Sequence, residues 1–183
     1  MLTDEEWADI DSVDGWLFRE EADLLARLST SPWCEVGAWK GRATRVLARG
    51  GHGWVVDWFK GSSEHGPDVD TRPEFDENTA GLNITVLSMD FRAACDRIPA
   101  SLQLLFLDAE HSYEATAEAF ALFSPLVART GLVVFHDAWS DDGGGMDGGM
   151  TPWPGVTRFV RNLDPEQWVN IENVARCAVF ARA

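Results

Sequence analysis

Basic residues are scarce in this chain: 15 Lys and Arg stand against 30 Asp and Glu, a net charge of −15 over 183 residues. No Lys/Arg cluster is present, and a nucleic-acid partner would need one to neutralise phosphates. The same charge disfavours an anionic membrane surface, and no apolar run is long enough to cross a bilayer. The opening Met1-Leu-Thr-Asp-Glu-Glu-Trp7 has neither the basic nor the apolar region of a signal peptide. Cysteine is sparse as well. Cys34, Cys95 and Cys177 are scattered in apolar or helical contexts, which argues for reduced core thiols and against a disulfide framework or zinc site. These absences predict a soluble cytoplasmic protein that takes a small, neutral or cationic substrate, with neither nucleic acid nor membrane as partner.

What is present is a core. At 45% hydrophobic, the 183 residues suffice for one domain. Its centre is the stretch from Ser101 to Trp139. Residues 102–107 are a continuous apolar run, the pattern of a parallel strand covered on both faces, and the run ends in Asp108, Glu110 and His111. Over residues 112–128, Ala115, Ala119, Leu122, Phe123 and Leu126 recur at helical spacing, with Gly131 as the stop. Residues 132–135 form a second buried strand ending in His136 and Asp137. A right-handed crossover makes the two strands parallel, so these polar ends share one sheet edge, where open α/β sheets bind ligands.

The rest of the chain repeats the theme. Residues 1–30 form an N-terminal helical segment, with an amphipathic helix over residues 15–28. Strands are predicted at 33–36, 54–57 and 83–87, and helices at 41–49, 73–79 and 89–97. After residue 155 come a short helix at 156–163 and strands at 168–172 and 176–181. The whole is a doubly wound sheet closed by a two-stranded unit.

Three strand ends carry a carboxylate in turn. Glu35-Val-Gly-Ala-Trp-Lys-Gly41 follows the first strand; Gly37 and Gly41 allow close backbone approach, and a helix N-terminus offers free amide donors. Ala38 and Trp39 break the dinucleotide pattern G-x-G-x-x-G, and the P-loop Lys-Ser/Thr is missing. A glutamate ahead of the glycines suits a cationic ligand group better than a pyrophosphate. Asp57, ending the second strand, is placed to accept from ribose hydroxyls. Asp90, after the third, is placed to accept from an adenine amino group with Trp58, Met89 or Phe91 flanking the ring, or to cap the helix that follows.

Four motifs in order, Glu35 to Thr44, Val55 to Gly66, Phe106-Leu-Asp-Ala-Glu-His-Ser-Tyr-Glu114 and Gly131-Leu-Val-Val-Phe-His-Asp137, resemble the class I S-adenosylmethionine-dependent methyltransferases. The likeness runs from about Leu24 to the C-terminus and is closest to the bacterial branch that includes the macrolide-sugar O-methyltransferases. It implies a Rossmann-like sheet of order 3-2-1-4-5-7-6 with helices on both faces. It also implies that Glu35, Gly37, Ala38 and Gly41 bind the amino-acid part of S-adenosylmethionine, Asp57 the ribose, and Trp58, Met89, Asp90 and Phe91 the adenine, with Asp108 contributing. In metal-dependent relatives, carboxylates at the positions of Asp108 and Asp137 hold a magnesium ion. Some relatives carry a second carboxylate where this chain has His136. His111 matches the general base of similar O-methyltransferases, with His136 as rival base. His52 and His65 read as surface residues.

Residues 138–155 read as a mobile active-site lid, or alternatively as a disordered loop without function. Five glycines lie between Gly143 and Gly149, and Trp139, Met146, Met150 and Trp153 are available as an apolar wall. The resemblance implies methyl transfer to a small-molecule hydroxyl, of a sugar or other secondary metabolite. N-methylation, a catalytically silent cofactor-binding protein and a nucleotide-dependent oxidoreductase are the alternatives. Similar proteins are often oligomeric, and nine Trp residues leave room for a homo-oligomer contact.

Overall fold

The computed structural model describes residues 1–62, 65, 68–139 and 153–183. Seven strands make one sheet: β1 (Trp33–Val36), β2 (Gly53–Asp57), β3 (Ile84–Ser88), β4 (Leu102–Leu107), β5 (Val127–Phe135), β6 (Trp168–Val174) and β7 (Cys177–Arg182). Their order is β3-β2-β1-β4-β5-β7-β6, as the family resemblance implies. The first five strands are parallel, and β7 runs antiparallel to both neighbours.

Register positions the site. Val36 pairs with Val56 on one side and Leu107 on the other, and Leu107 pairs with Phe135. Gly37, Asp57, Asp108 and His136 therefore leave the sheet at one level. Phe135 pairs with Ala178 on the antiparallel β7, so the β6–β7 turn returns to the same rim and delivers Arg176 there.

Side chains alternate across the strands into two cores. Cys34, Val36, Leu105, Leu107, Val133 and Phe135 face one side with α5 (Tyr113–Phe123) and α6 (Pro154–Arg161). Trp33, Val55, Leu104, Phe106 and Val134 face the other, against α2 (Arg19–Leu28) and α3 (Arg42–Leu47). Both faces of the central strands are thus covered, and each large side chain fully removed from water contributes roughly 1.5–3 kcal/mol.

Several elements depart from expectation. The expected N-terminal helical segment holds two helices, α1 (Asp4–Asp11) and α2, but residues 15–18 are not helical. Periodicity does not reveal α1 because Ile10 is its one buried residue; its signal is the capping box of Thr3 and Glu6. The helix predicted over 112–128 ends at Phe123, where Pro125 removes an amide donor, and Ser124–Leu126 form a 3₁₀ turn. Gly131 stops nothing; it lies inside β5. Residues 89–97 form two 3₁₀ turns, Phe91–Ala93 and Cys95–Arg97, a segment too short before Pro99 to nucleate an α-helix. An α4 (Arg72–Asn78) lies where a helix is predicted. Cys34 and Cys177 are buried free thiols, and Cys95, also free, is partly exposed at the edge of the core it packs against. Among the described residues no helix is long and apolar enough to cross a membrane. Of the predicted lid, residues 140–152 lie outside the described residues.

Candidate active site

The carboxyl ends of β1 to β5 open on a cavity of about 670 Å³, within the roughly 300–1,000 Å³ range of small-molecule sites. Twelve of the thirteen predicted site residues line it: Glu35, Gly37, Ala38, Asp57, Trp58, Met89, Asp90, Phe91, Asp108, His111, His136 and Asp137. Gly41 does not. It sits at φ +91° as the N-cap of α3, and a Cβ there would meet Thr79 at 2.7 Å, so its glycine serves packing against α4.

Gly37 is required by close approach. Its φ is +88°, and a Cβ would lie 2.0 Å from the Asp108 carbonyl oxygen, which places the loop after β1 directly on the end of β4. Asp57 holds that loop from the other side. Its Oδ2 accepts from the amides of Ala38 (2.7 Å) and Trp39 (2.9 Å), and its Oδ1 from Phe59 (2.6 Å). Asp90 does cap the following turn, accepting from the Arg92 amide at 2.8 Å, and it pairs with the Arg92 guanidinium at 3.1 Å.

Glu35 is fully buried. Thr44 donates to its Oε2 at 2.5 Å, while Oε1 has no hydrogen-bond partner among the described residues. Burial, with the Asp108 and Asp57 charges added, pushes its carboxyl well above the usual range, against the Thr44 hydrogen bond. An incoming cation would relieve that burial cost.

At the other end of the cavity the polar strand tips of β4 and β5 form a charge network. His136 is 2% exposed, with Nδ1 3.1 Å from Asp108 Oδ1 and Nε2 3.1 Å from Glu21 Oε2. His111 Nε2 lies 3.3 Å from Asp137 Oδ2 and 3.7 Å from Asp108 Oδ1. Arg176 donates to Asp137 Oδ1 at 2.9 Å and to Glu21 Oε1 at 3.2 Å, and also to the Trp16 carbonyl. Burial disfavours the His136 cation, but the Asp108 and Asp137 charges outweigh it and raise its pKa well above the ordinary value. Burial likewise opposes charge on Asp108, yet His136 and His111 hold that carboxyl down to about 2. Asp137 and Glu21 are held low against burial in the same way, His136 being the chief cause and Arg176 a further one.

Glu21 and Arg176 escaped sequence reading. Glu21 is spaced with Leu24, Leu25 and Leu28 on the apolar face of α2, and that position for an acid was the available signal. Arg176 depends on the β6–β7 register, which no local pattern reveals. Trp153 was expected only in a lid. It stands at the N-terminus of α6 with its ring stacked on His111 at 4.5 Å and 12°. Gly155 permits this, since a Cβ there would strike the His111 carbonyl at 2.3 Å. His65 is not an ordinary surface residue. It lines the cavity and stacks on Trp39 at 4.6 Å, and Trp16 meets Trp39 at 5.5 Å.

An open sheet with acidic tips around one crevice defines an α/β protein that binds its ligand at the carboxyl edge. A family model described as a methyltransferase domain matches residues 34–138, from β1 to just past Asp137. The chain belongs to this family and is a class I S-adenosylmethionine-dependent methyltransferase. In fold it is similar to cofactor-bound Rv0187 from MTB, at 17% identity and TM-score 0.67, covering 96% of this chain and 87% of that one. It is similar to the SAH-bound methyltransferase PaMTH1 of Podospora anserina, at 12% identity and TM-score 0.66, covering 100% and 89%. The SAM complex of the O-methyltransferase TomG from Streptomyces achromogenes gives 16% identity and TM-score 0.64, covering 92% and 82%. A search of curated proteins returns no match to the chain.

Proposed function

We propose that the protein methylates a hydroxyl oxygen of a small molecule, a sugar or another secondary metabolite, with His111 as the general base. The observation that carries this reading is the His111–Asp137 pair at 3.3 Å on the wall of the cavity. Nε2 faces the Asp137 carboxylate, which favours a hydrogen on that nitrogen; the ring would then keep its lone pair on Nδ1 for the acceptor's proton. Trp153 stacked on the ring fixes its plane. Trp16 and Trp39 supply apolar wall for an acceptor. The net charge of −15 favours an uncharged or cationic acceptor over a nucleic acid.

The residues fit the adenosyl donor. S-adenosylmethionine, when bound, supplies an electrophilic methyl on a sulfonium. Glu35, whose Oε1 has no hydrogen-bond partner among the described residues, would take the donor's ammonium, and the Gly37–Ala38 backbone would lie along the amino-acid part. Asp57 would accept from the ribose. Asp90 would accept from the adenine amino group, with Trp58, Met89 and Phe91 about the ring. Asp108 completes the wall beside Gly37. Catalysis would come mostly from orienting the two reactants and excluding water.

The residues do not fit magnesium. Atoms of Asp108, His111 and Asp137 do converge within 4.8 Å. Yet Asp108 already faces the His136 imidazole, and Asp137 faces both His136 and Arg176. A second cation about 4 Å from either would meet repulsion on the order of 4 kcal/mol per unit charge at an effective dielectric of ~20. A hard divalent ion also wants oxygens, and one expected carboxylate is His136 here.

Replacing His111 with Gln tests the base. Turnover is expected to fall by about 10²–10⁴-fold with affinity for S-adenosylhomocysteine unchanged. Undiminished turnover would contradict the assignment. His136 is the poorer candidate, because both its nitrogens already face carboxylates.

A further inference from the structure

Two imidazole nitrogens and two carboxylate oxygens close a square in the site. His136 Nδ1 lies 3.1 Å from Asp108 Oδ1 and 3.3 Å from Asp137 Oδ2. His111 Nε2 lies 3.7 Å and 3.3 Å from the same two oxygens. One nitrogen of His136 thus bridges a carboxylate from β4 and a carboxylate just past β5, as a metal ion would. On the far side of the ring, Nε2 meets Glu21 Oε2 at 3.1 Å with both groups buried. A neutral imidazole would turn a lone pair on one of these carboxylates, so a ring with carboxylates at both ends carries both hydrogens.

We propose that His136, held as an imidazolium between Glu21 and the Asp108–Asp137 pair, takes the place of a divalent ion, so that this site methylates without a metal. The proposal rests on the methyltransferase reading above and assigns His136, Glu21 and Arg176 as positioning residues. Arg176 supplies the second positive charge, against Asp137 Oδ1 at 2.9 Å and Glu21 Oε1 at 3.2 Å.

The charge balance agrees. Three carboxylates (Glu21, Asp108, Asp137) face two fixed cations (His136, Arg176), leaving one negative charge. Uptake of the acceptor's proton by His111 brings the cluster to neutrality. A divalent ion added to the same groups would make the cluster positive before that proton arrived and more positive after it. Either state opposes proton uptake beside a sulfonium.

The test is a Mn²⁺ titration followed by electron paramagnetic resonance. It compares the wild-type protein with Glu21→Gln/His136→Asp, which returns a carboxylate to the rim and removes the one that would repel it. Wild type is expected to leave the aqueous Mn²⁺ signal undiminished up to millimolar metal, and its turnover to be indifferent to EDTA. The double variant is expected to bind Mn²⁺ at least about tenfold more tightly. Signal loss with wild type that Asp108→Asn or Asp137→Asn abolishes would overturn the proposal, whether or not the double variant folds. So would a folded double variant as indifferent to Mn²⁺ as wild type. Calorimetry with S-adenosylhomocysteine on the same samples separates the two readings. Protein that binds both the nucleoside and Mn²⁺ refutes metal independence alone, and protein that binds no nucleoside refutes the methyltransferase site.

Discussion

Glu21 and His136 stand 115 positions apart in the chain and 3.1 Å apart in the fold, with Glu21 wholly excluded from solvent. The contact ties the N-terminal α2 to the tip of β5, so the helix that packs on one face of the sheet also holds a polar tip of its rim.

Glu21→Gln removes one charge from that buried network and leaves His136 and Arg176 short of a partner. Breaking a buried pair this way costs about 3–5 kcal/mol, because the remaining charge stays desolvated. Urea denaturation should show a loss of that size. A loss below about 1 kcal/mol would mean that the network contributes little to the fold.

Stability should fall at both ends of the pH scale, for opposite reasons. Asp108, Asp137 and Glu21 have depressed carboxyl pKa values, so their contribution is present above the ordinary carboxylate range and lost as pH falls, for Asp108 through about 2. His136 has a raised pKa, so its contribution is complete below the ordinary histidine value of 6.5 and lost as pH rises through the folded value. Denaturation free energies measured across the pH range should decline on both flanks. His136→Asn should flatten the alkaline decline. An alkaline limb identical in the variant would place its origin elsewhere.

Gly37→Ala should damage the site through its frame. The φ of +88° strains any other residue, and the new methyl would meet the Asp108 carbonyl oxygen. Thermal melting should drop and S-adenosylhomocysteine binding should vanish, since the loop after β1 cannot stay against β4. Retained melting temperature and affinity would show that the loop has room that the close contact denies.

Much of this was legible in sequence because parallel strands announce themselves. The apolar runs ending in Asp57, Asp108 and His136 place three polar tips on one edge through a periodicity any buried strand shows. Residues 112–128 misled, since apolar spacing continued through Leu126 while Pro125 had already ended the helix. Gly131 reads the same in a turn and in a strand.

The acid–base network was half legible. Asp108, His111, His136 and Asp137 come from two local motifs, and sequence order alone puts them together. Glu21 and Arg176 arrive from α2 and from the β6–β7 turn, and only the tertiary register of β7 on β5 brings them in. Trp153 escaped for a similar reason: its stacking on His111 depends on Gly155 packing against a distant carbonyl.

If the tips of β1 to β4 grip an adenosyl nucleoside and His111 serves the chemistry alone, titration calorimetry of S-adenosylhomocysteine into wild type and His111→Gln will show it. One site per chain and equal affinity in both proteins are the expected result of this reading. Absence of binding heat from folded wild-type protein, or affinity lost with His111, would contradict it.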